Sequence, residues 1–180
     1  MTKSQIRKSI LKLRKKKFFK KNIYIDFKII LKILKIKNIK GKIVGGYYPY
    51  NYEVDVMKIL NNFEKKKYLI SLPKIKKNYK MNFFNWSFKE PLVINKYGIP
   101  EPTSNKIMYP SIFLVPLVAY DEKLYRIGYG GGYYDRYLKK IKKRKKFITI
   151  GLAYSFQKVK KIPIKEHDMK LDFVITEKNI

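Results

Sequence analysis

The stretch Arg126-Ile127-Gly128-Tyr129-Gly130-Gly131-Gly132-Tyr133-Tyr134-Asp135-Arg136 holds the residues best suited to chemistry in this 180-residue chain. Four glycines in five positions, free of Cβ atoms and tolerant of positive φ, let successive amides turn into one concavity that binds an anion. Arg126 and Arg136 add positive charge beside it, and Asp135 is placed to meet a magnesium ion bridging phosphate oxygens. The plainer alternative is a glycine-rich turn between strand and helix that binds nothing.

The flanking segments favour a site. Residues 111–120 form a short, β-rich apolar run that reads as a strand buried on both faces, and Asp121 follows at once. Residues 134–140 begin a helix that lysines prolong. The glycines therefore fall between a buried strand and a helix amino terminus, where anions bind in open α/β sheets.

Elsewhere the pattern alternates. Residues 4–21 place Ile6, Ile10, Leu11, Leu13 and Phe18 near one face and predict an amphipathic helix with a basic exterior. Residues 26–36 predict a second, more buried helix, 42–48 a strand and 53–64 a helix. Residues 68–72 read as a strand stopped by Pro73, and 81–86 as another. Residues 91–110 carry four prolines and little periodicity, which predicts a long surface connection. A helix at 135–143 and strands at 147–153 and 172–176 complete the chain. Such alternation predicts an α/β fold, a sheet with helices on both faces.

Length and an apolar content of 46% fit one domain spanning 1–180 with a sizeable core. With no cysteine and one histidine, neither a disulfide framework nor a thiolate or histidine-rich metal cluster can form. No apolar run approaches the roughly 20 residues of a membrane span, and the basic amino terminus lacks the apolar centre of a secretory signal, so a cytoplasmic location is expected, with an organelle transit segment the lesser reading. The net charge of +30 also suits a nucleic-acid binder. Yet the lysines are dispersed in groups such as Lys15-Lys16-Lys17, Lys20-Lys21, Lys65-Lys66-Lys67 and residues 142–146, and lysine, isoleucine, asparagine and tyrosine are inflated together, as an AT-rich coding bias would do. They read as solvated faces whose field attracts polyanions, nonspecific RNA among them.

Residues 115–138, with Pro116, Ala119, Asp121, Arg126, the glycines and Tyr133-Tyr134-Asp135-Arg136, resemble the signature of the 5-formyltetrahydrofolate cyclo-ligase, or methenyltetrahydrofolate synthetase, family. Further segments fall in that family's order. They are Lys3 with Arg7, Tyr48-Pro49 before Glu53-Val54-Asp55, Leu72-Pro73-Lys74, Gly98-Ile99-Pro100-Glu101-Pro102, Ile162-Pro163, His167-Asp168 and Leu171-Asp172. The resemblance covers nearly the whole chain. It implies a single three-layer α/β domain around a largely parallel sheet, acting on ATP and 5-formyltetrahydrofolate, which can be polyglutamylated; a monomer is expected.

The implied reaction is ATP-dependent cyclisation of 5-formyltetrahydrofolate to 5,10-methenyltetrahydrofolate with release of ADP and phosphate. Phosphorylating the formyl oxygen turns a poor leaving group into a good one, and nitrogen 10 then closes the ring. The resemblance assigns Arg126 and Asp135 to catalysis, and Lys3, Arg7, Arg126, Gly128, Gly130, Gly131, Gly132 and Tyr134 to ATP. It assigns Glu53, Tyr129 and Tyr133 to the folate, and Asp135 with Asp168 to Mg2+. Without it, Lys3 and Arg7 read as a solvated basic helix face, Asp55 as an acid stabilising a helix start, Trp86 as core and Asp168 as a turn residue. Two positions depart from the family pattern: Tyr120 stands where phenylalanine is common, and Gly131 where lysine or arginine is frequent. The competing functions are a nonenzymatic nucleic-acid binder, which leaves the clustered glycines and acids unexplained, and another phosphate-ester or CoA enzyme on a similar scaffold.

Overall fold

The computed structural model describes residues 1–18, 24–143 and 145–178. Its helices are α1 (Lys3–Phe18), α2 (Phe27–Ile36), α3 (Met57–Lys65) and α4 (Tyr133–Lys142). Its strands are β1 (Ile43–Gly45), β2 (Leu69–Ile75), β3 (Met81–Trp86), β4 (Leu92–Ile94), β5 (Pro100–Pro102), β6 (Ile107–Met108), β7 (Ile112–Pro116), β8 (Ala119–Tyr120), β9 (Arg126–Ile127), β10 (Ile148–Leu152) and β11 (Phe173–Ile175). Seven strands form the central sheet in the order β11-β10-β7-β1-β2-β3-β6. The first five are mutually parallel, and β3 runs antiparallel to both its neighbours.

Period-two alternation explains why helices cover both faces. Along β7, Ile112 and Leu114 join the core under α2 and α3, while Phe113 and Val115 join the core under α4, and all four are buried. The predicted three-layer α/β arrangement with a largely parallel sheet is thus observed. A third, smaller core seats α1: Ile6 and Ile10, one helical turn apart, pack on Val118, Ala119 and Ile127 of the β8–β9 hairpin and its approach. No helix among the described residues is long and apolar enough to cross a membrane.

Several expectations change. The helix expected over 4–21 spans Lys3–Phe18, and Lys20 and Lys21 lie outside the described residues, as does Arg144. The helix expected from residue 53 begins at Met57, with Asp55 accepting the Met57 amide at 2.8 Å. Glu53 and Val54 therefore belong to a buried connection, and only Asp55 serves the helix start. Strand β2 continues through Pro73 to Ile75 rather than stopping. Strand β1 pairs with it only as far as Ser71, so the missing N–H of Pro73 falls where β2 has lost one neighbour. Residues 91–110 are not a structureless connection: β4 and β5 pair as a hairpin, and β6 adds to β3 in the central sheet. The strand expected over 111–120 is two, because β8 leaves the sheet to pair with β9, which places a hairpin between the buried strand and the glycine loop. Asp121 ties that hairpin, accepting amides of Lys123, Tyr125 and Ile162.

Candidate functional site

The carboxyl ends of β1, β2 and β7 open into a cavity of about 370 Å³ that α4 and the glycine loop close from one side. This is the edge at which open α/β sheets take ligands. Tyr47 and Tyr48 follow β1, Pro116 ends β7, and Asn95 and Tyr97 reach in from the β4–β5 connection. The lining is chiefly aromatic and apolar. Its charged members are Glu53, Arg126 and Asp135.

At one end stand the glycines. Gly130 (φ 110°) and Gly132 (φ 61°) hold the left-handed conformations that the loop requires. Gly132 caps α4 without a side chain, so the first amides of the helix face no competing side-chain cap. Arg126 is only 8% exposed. Its guanidinium donates to the Met169 carbonyl at 2.9 Å and pairs with Asp135 Oδ1 at 3.0 Å. The Met169 amide reaches the same Oδ1 at 3.0 Å, which brings the chain next to Asp168 up against Asp135.

Helix α1 lays two cations along this loop. Arg7 donates from Nε to the Gly128 carbonyl at 2.8 Å and lies beside Gly130, while Lys3 pairs with Asp168 Oδ2, which also accepts the Lys165 amide at 2.6 Å. Burial pushes the Asp168 carboxyl up, but Lys3, the Lys165 amide and His167 outweigh it, and the group is held below its ordinary value. The bonds found among the described residues fall on one oxygen of Asp135 and one of Asp168. Each carboxylate thus keeps an oxygen for a hard cation, a donor set that suits magnesium with nucleotide phosphates completing its shell. Among the described residues no three acid or histidine side chains converge to hold a metal by themselves.

At the other end, Glu53 is 6% exposed and accepts the Tyr50 amide at 2.9 Å. Burial is the main influence on its carboxyl. The Tyr50 amide and the charge of Arg14 oppose it, and the net result is a group pushed up from 4.5 to about 7. Tyr129 and Tyr134 stand over it. Burial, then the charge of Glu53, raises both phenols, Tyr129 to about 12. The Tyr134 hydroxyl is buried with no hydrogen-bond partner among the described residues.

The family model for the 5-formyltetrahydrofolate cyclo-ligase family matches residues 1–177. The chain belongs to that family. Its members convert 5-formyltetrahydrofolate to 5,10-methenyltetrahydrofolate using ATP. The chain is 33% identical over 144 residues to a 5-formyltetrahydrofolate cyclo-ligase of Haemophilus influenzae, covering 76% of each chain. It is 30% identical over 180 residues to that of Mycoplasma pneumoniae, covering 98% of this chain and 99% of the other. The solved 5,10-methenyltetrahydrofolate synthetase of Aquifex aeolicus superposes with a TM-score of 0.74 at 31% identity, over 99% of this chain and 91% of that one. The nucleic-acid-binding alternative finds no support in these relationships.

For this cyclo-ligase family member, Glu53, Arg126, Gly128, Tyr129, Gly131, Gly132, Tyr133, Tyr134 and Asp135 all border the cavity. Lys3, Arg7, Gly130 and Asp168 lie outside the lining: Arg7 packs beside Gly130 and on the Gly128 carbonyl, and Lys3 pairs with Asp168. Trp86 packs in the main core and is not part of the lining. Two participants were not evident from sequence reasoning. Tyr50 lines the cavity and touches Tyr129 edge to face at 5.9 Å, but in a chain with 16 tyrosines its type carries no signal. Arg14, one base among many on a basic helix, is 1% exposed and packs beside the site. A signal existed: Ile6, Ile10 and Arg14 share an i, i+4, i+8 stripe, so the arginine continues the buried face.

Proposed function

We propose that this cavity performs the family's ATP-dependent cyclisation with the nucleotide at the glycine loop and the folate between Glu53 and the tyrosines. One observation carries the assignment: a single cavity is lined both by Arg126 and glycines beside a helix amino terminus and by a buried carboxyl among aromatic rings. Phosphates suit the first environment. A flat reduced pterin suits the second, stacking on rings and giving its N–H groups to an acceptor.

Loop amides of Gly128, Gly130, Gly131 and Gly132, with Lys3 and Arg7, bind the phosphate chain; Tyr134 closes the loop from its first helical turn. Asp135 and Asp168 hold Mg2+, which when bound neutralises phosphate charge and helps align the transferring group. Arg126, fixed by Met169 and Asp135, directs its guanidinium at charge gathering on the γ-phosphoryl group as it passes to the formyl oxygen. Glu53 accepts from the pterin, and Tyr129 and Tyr133 hold the folate so that nitrogen 10 lies within reach of the activated carbon. Phosphate then leaves with the former formyl oxygen, and the nitrogen proton passes to water. The +30 field draws in both polyanionic substrates, polyglutamylated folate included. An absorbance increase in the methenyl band that needs ATP and magnesium together is the expected result; turnover without either one would remove the mechanism.

A further inference from the structure

On α1, Lys3, Arg7 and Arg14 follow one another at spacings of four and seven, so all three stand in one row facing the glycine loop. The first two reach Asp168 and the Gly128 carbonyl near the nucleotide end. Arg14 sits deeper and does something else. Its Nη1 donates to the Leu117 carbonyl at 3.3 Å and its Nη2 to the Tyr129 hydroxyl. Its guanidinium carbon lies 5.6 Å from the centroid of the Tyr129 ring, and its Nε is buried with no hydrogen-bond partner among the described residues.

A guanidinium this buried loses its hydration, which is costly unless charge nearby answers it. Among the described residues Arg14 makes no ion pair within 4.0 Å. What it faces instead is a relay. The Tyr129 hydroxyl accepts from Arg14 and gives its one proton to the Tyr50 carbonyl at 3.3 Å, and the Tyr50 amide donates to Glu53 at 2.9 Å. The ring of Tyr129 is therefore held by both sides of its oxygen, and the backbone that meets Glu53 is held by that oxygen in turn. The groups around the Glu53 carboxyl are Arg14 from α1, Tyr47 and Tyr50 from the segment after β1, Tyr129 from the glycine loop, Tyr134 from α4 and Tyr154 from beyond β10. Arg14 is the positive charge in that set.

We propose that Arg14 is a positioning residue for the folate: it fixes Tyr129 as a wall of the cavity and, through Tyr129 and the Tyr50 backbone, holds a buried positive charge on the side of Glu53. The inference rests on the reading of Glu53 as the pterin acceptor. It explains why a row of cations aimed at phosphates ends in one sequestered from solvent. A merely structural arginine would support packing and leave the protonation of Glu53 alone.

Calorimetric titration with 5-formyltetrahydrofolate in the absence of ATP, across the neutral pH range, tests it with Arg14→Gln, Arg14→Lys, Tyr129→Phe and Glu53→Gln. Wild-type binding weakens on acidification as Glu53 takes up a proton. In Arg14→Gln that acid limb moves to higher pH by about one unit, because an opposite charge has been withdrawn from the carboxyl. Arg14→Lys keeps the limb in place but weakens binding about threefold, since an ammonium cannot reproduce the planar fork. Weaker binding in Arg14→Gln with an unmoved limb would overturn the electrostatic role. Should Arg14→Gln not fold, the double-mutant cycle of Arg14→Lys with Tyr129→Phe decides: the effects coincide if Arg14 acts through Tyr129, and full additivity overturns the proposal. A Glu53→Gln variant that binds folate like wild type would instead remove the acceptor reading, whatever the arginine variants do.

Discussion

Beside the glycine loop Asp135 and Asp168 each touch a cation, Arg126 and Lys3, whereas among the described residues the Glu53 carboxylate accepts a backbone amide alone and senses Arg14 through the intervening tyrosine layer. The same functional group consequently behaves in opposite ways. Contact with Lys3 holds Asp168 below its ordinary range, and burial lifts Glu53 to about 7. The first arrangement favours the charged form of Asp168, which suits a seat for phosphates and a divalent ion. The second leaves a carboxyl near the point of proton exchange, which makes ligand binding there responsive to pH.

The contrast is broken most severely beside the glycine loop. Asp135→Ala removes both a proposed metal oxygen and the partner of a buried guanidinium, so turnover should fall by about 10³-fold or more with circular dichroism unchanged. Wild-type turnover in that variant would withdraw Asp135 from the metal. At Glu53, the proposed folate acceptor, Glu53→Gln should lower kcat/KM for 5-formyltetrahydrofolate by about 10–100-fold while the KM for ATP stays put. If instead both substrates lost affinity equally, the two ends would not be separable as described.

Glu53 also sets a pH dependence of stability. The folded chain holds its carboxyl proton up to about 7 and the unfolded chain only to 4.5, so the folded state binds the extra proton between those values. The contribution is fully present below 4.5 and is lost as pH rises through about 7. Comparing denaturant unfolding of wild type and Glu53→Gln over that window should show wild type gaining, on acidification, on the order of 2–3 kcal/mol relative to the variant. A constant difference would mean that the carboxyl is not raised.

The smallest effect concerns Gly131. A Cβ there would meet the Tyr133 ring at 2.5 Å, so Gly131→Ala must displace that ring. Because Tyr133 is only half-buried it can yield, and the expected outcome is a loss of folate affinity of about threefold with kcat retained. Loss of kcat with folate affinity intact would place the loop's role with the phosphates alone.

Much of this was legible in the residues. The alternation of Ile112, Phe113, Leu114 and Val115 in a β-rich run fixed a strand buried on both faces, and the glycines with Asp135 marked a loop opening a helix, because both signals are local. Element ends were less legible. Strand β2 passes Pro73 because a neighbouring strand happens to stop short, and residues 91–110 pair because other strands offer them edges. Neither fact is written in the segment concerned.

The sequence by itself determined the α/β layering, the family and the glycine loop that opens α4, since hydrophobic period and glycine placement act within a few residues of each other. Tertiary structure alone decided which charges meet. Lys3 and Asp168 are 165 residues apart, and Tyr129 lies 115 residues from the arginine it anchors to. Pairing at such separations depends on how the layers stack, and the loss of water around Arg14 and Glu53, which governs their chemistry, exists only once those layers have closed.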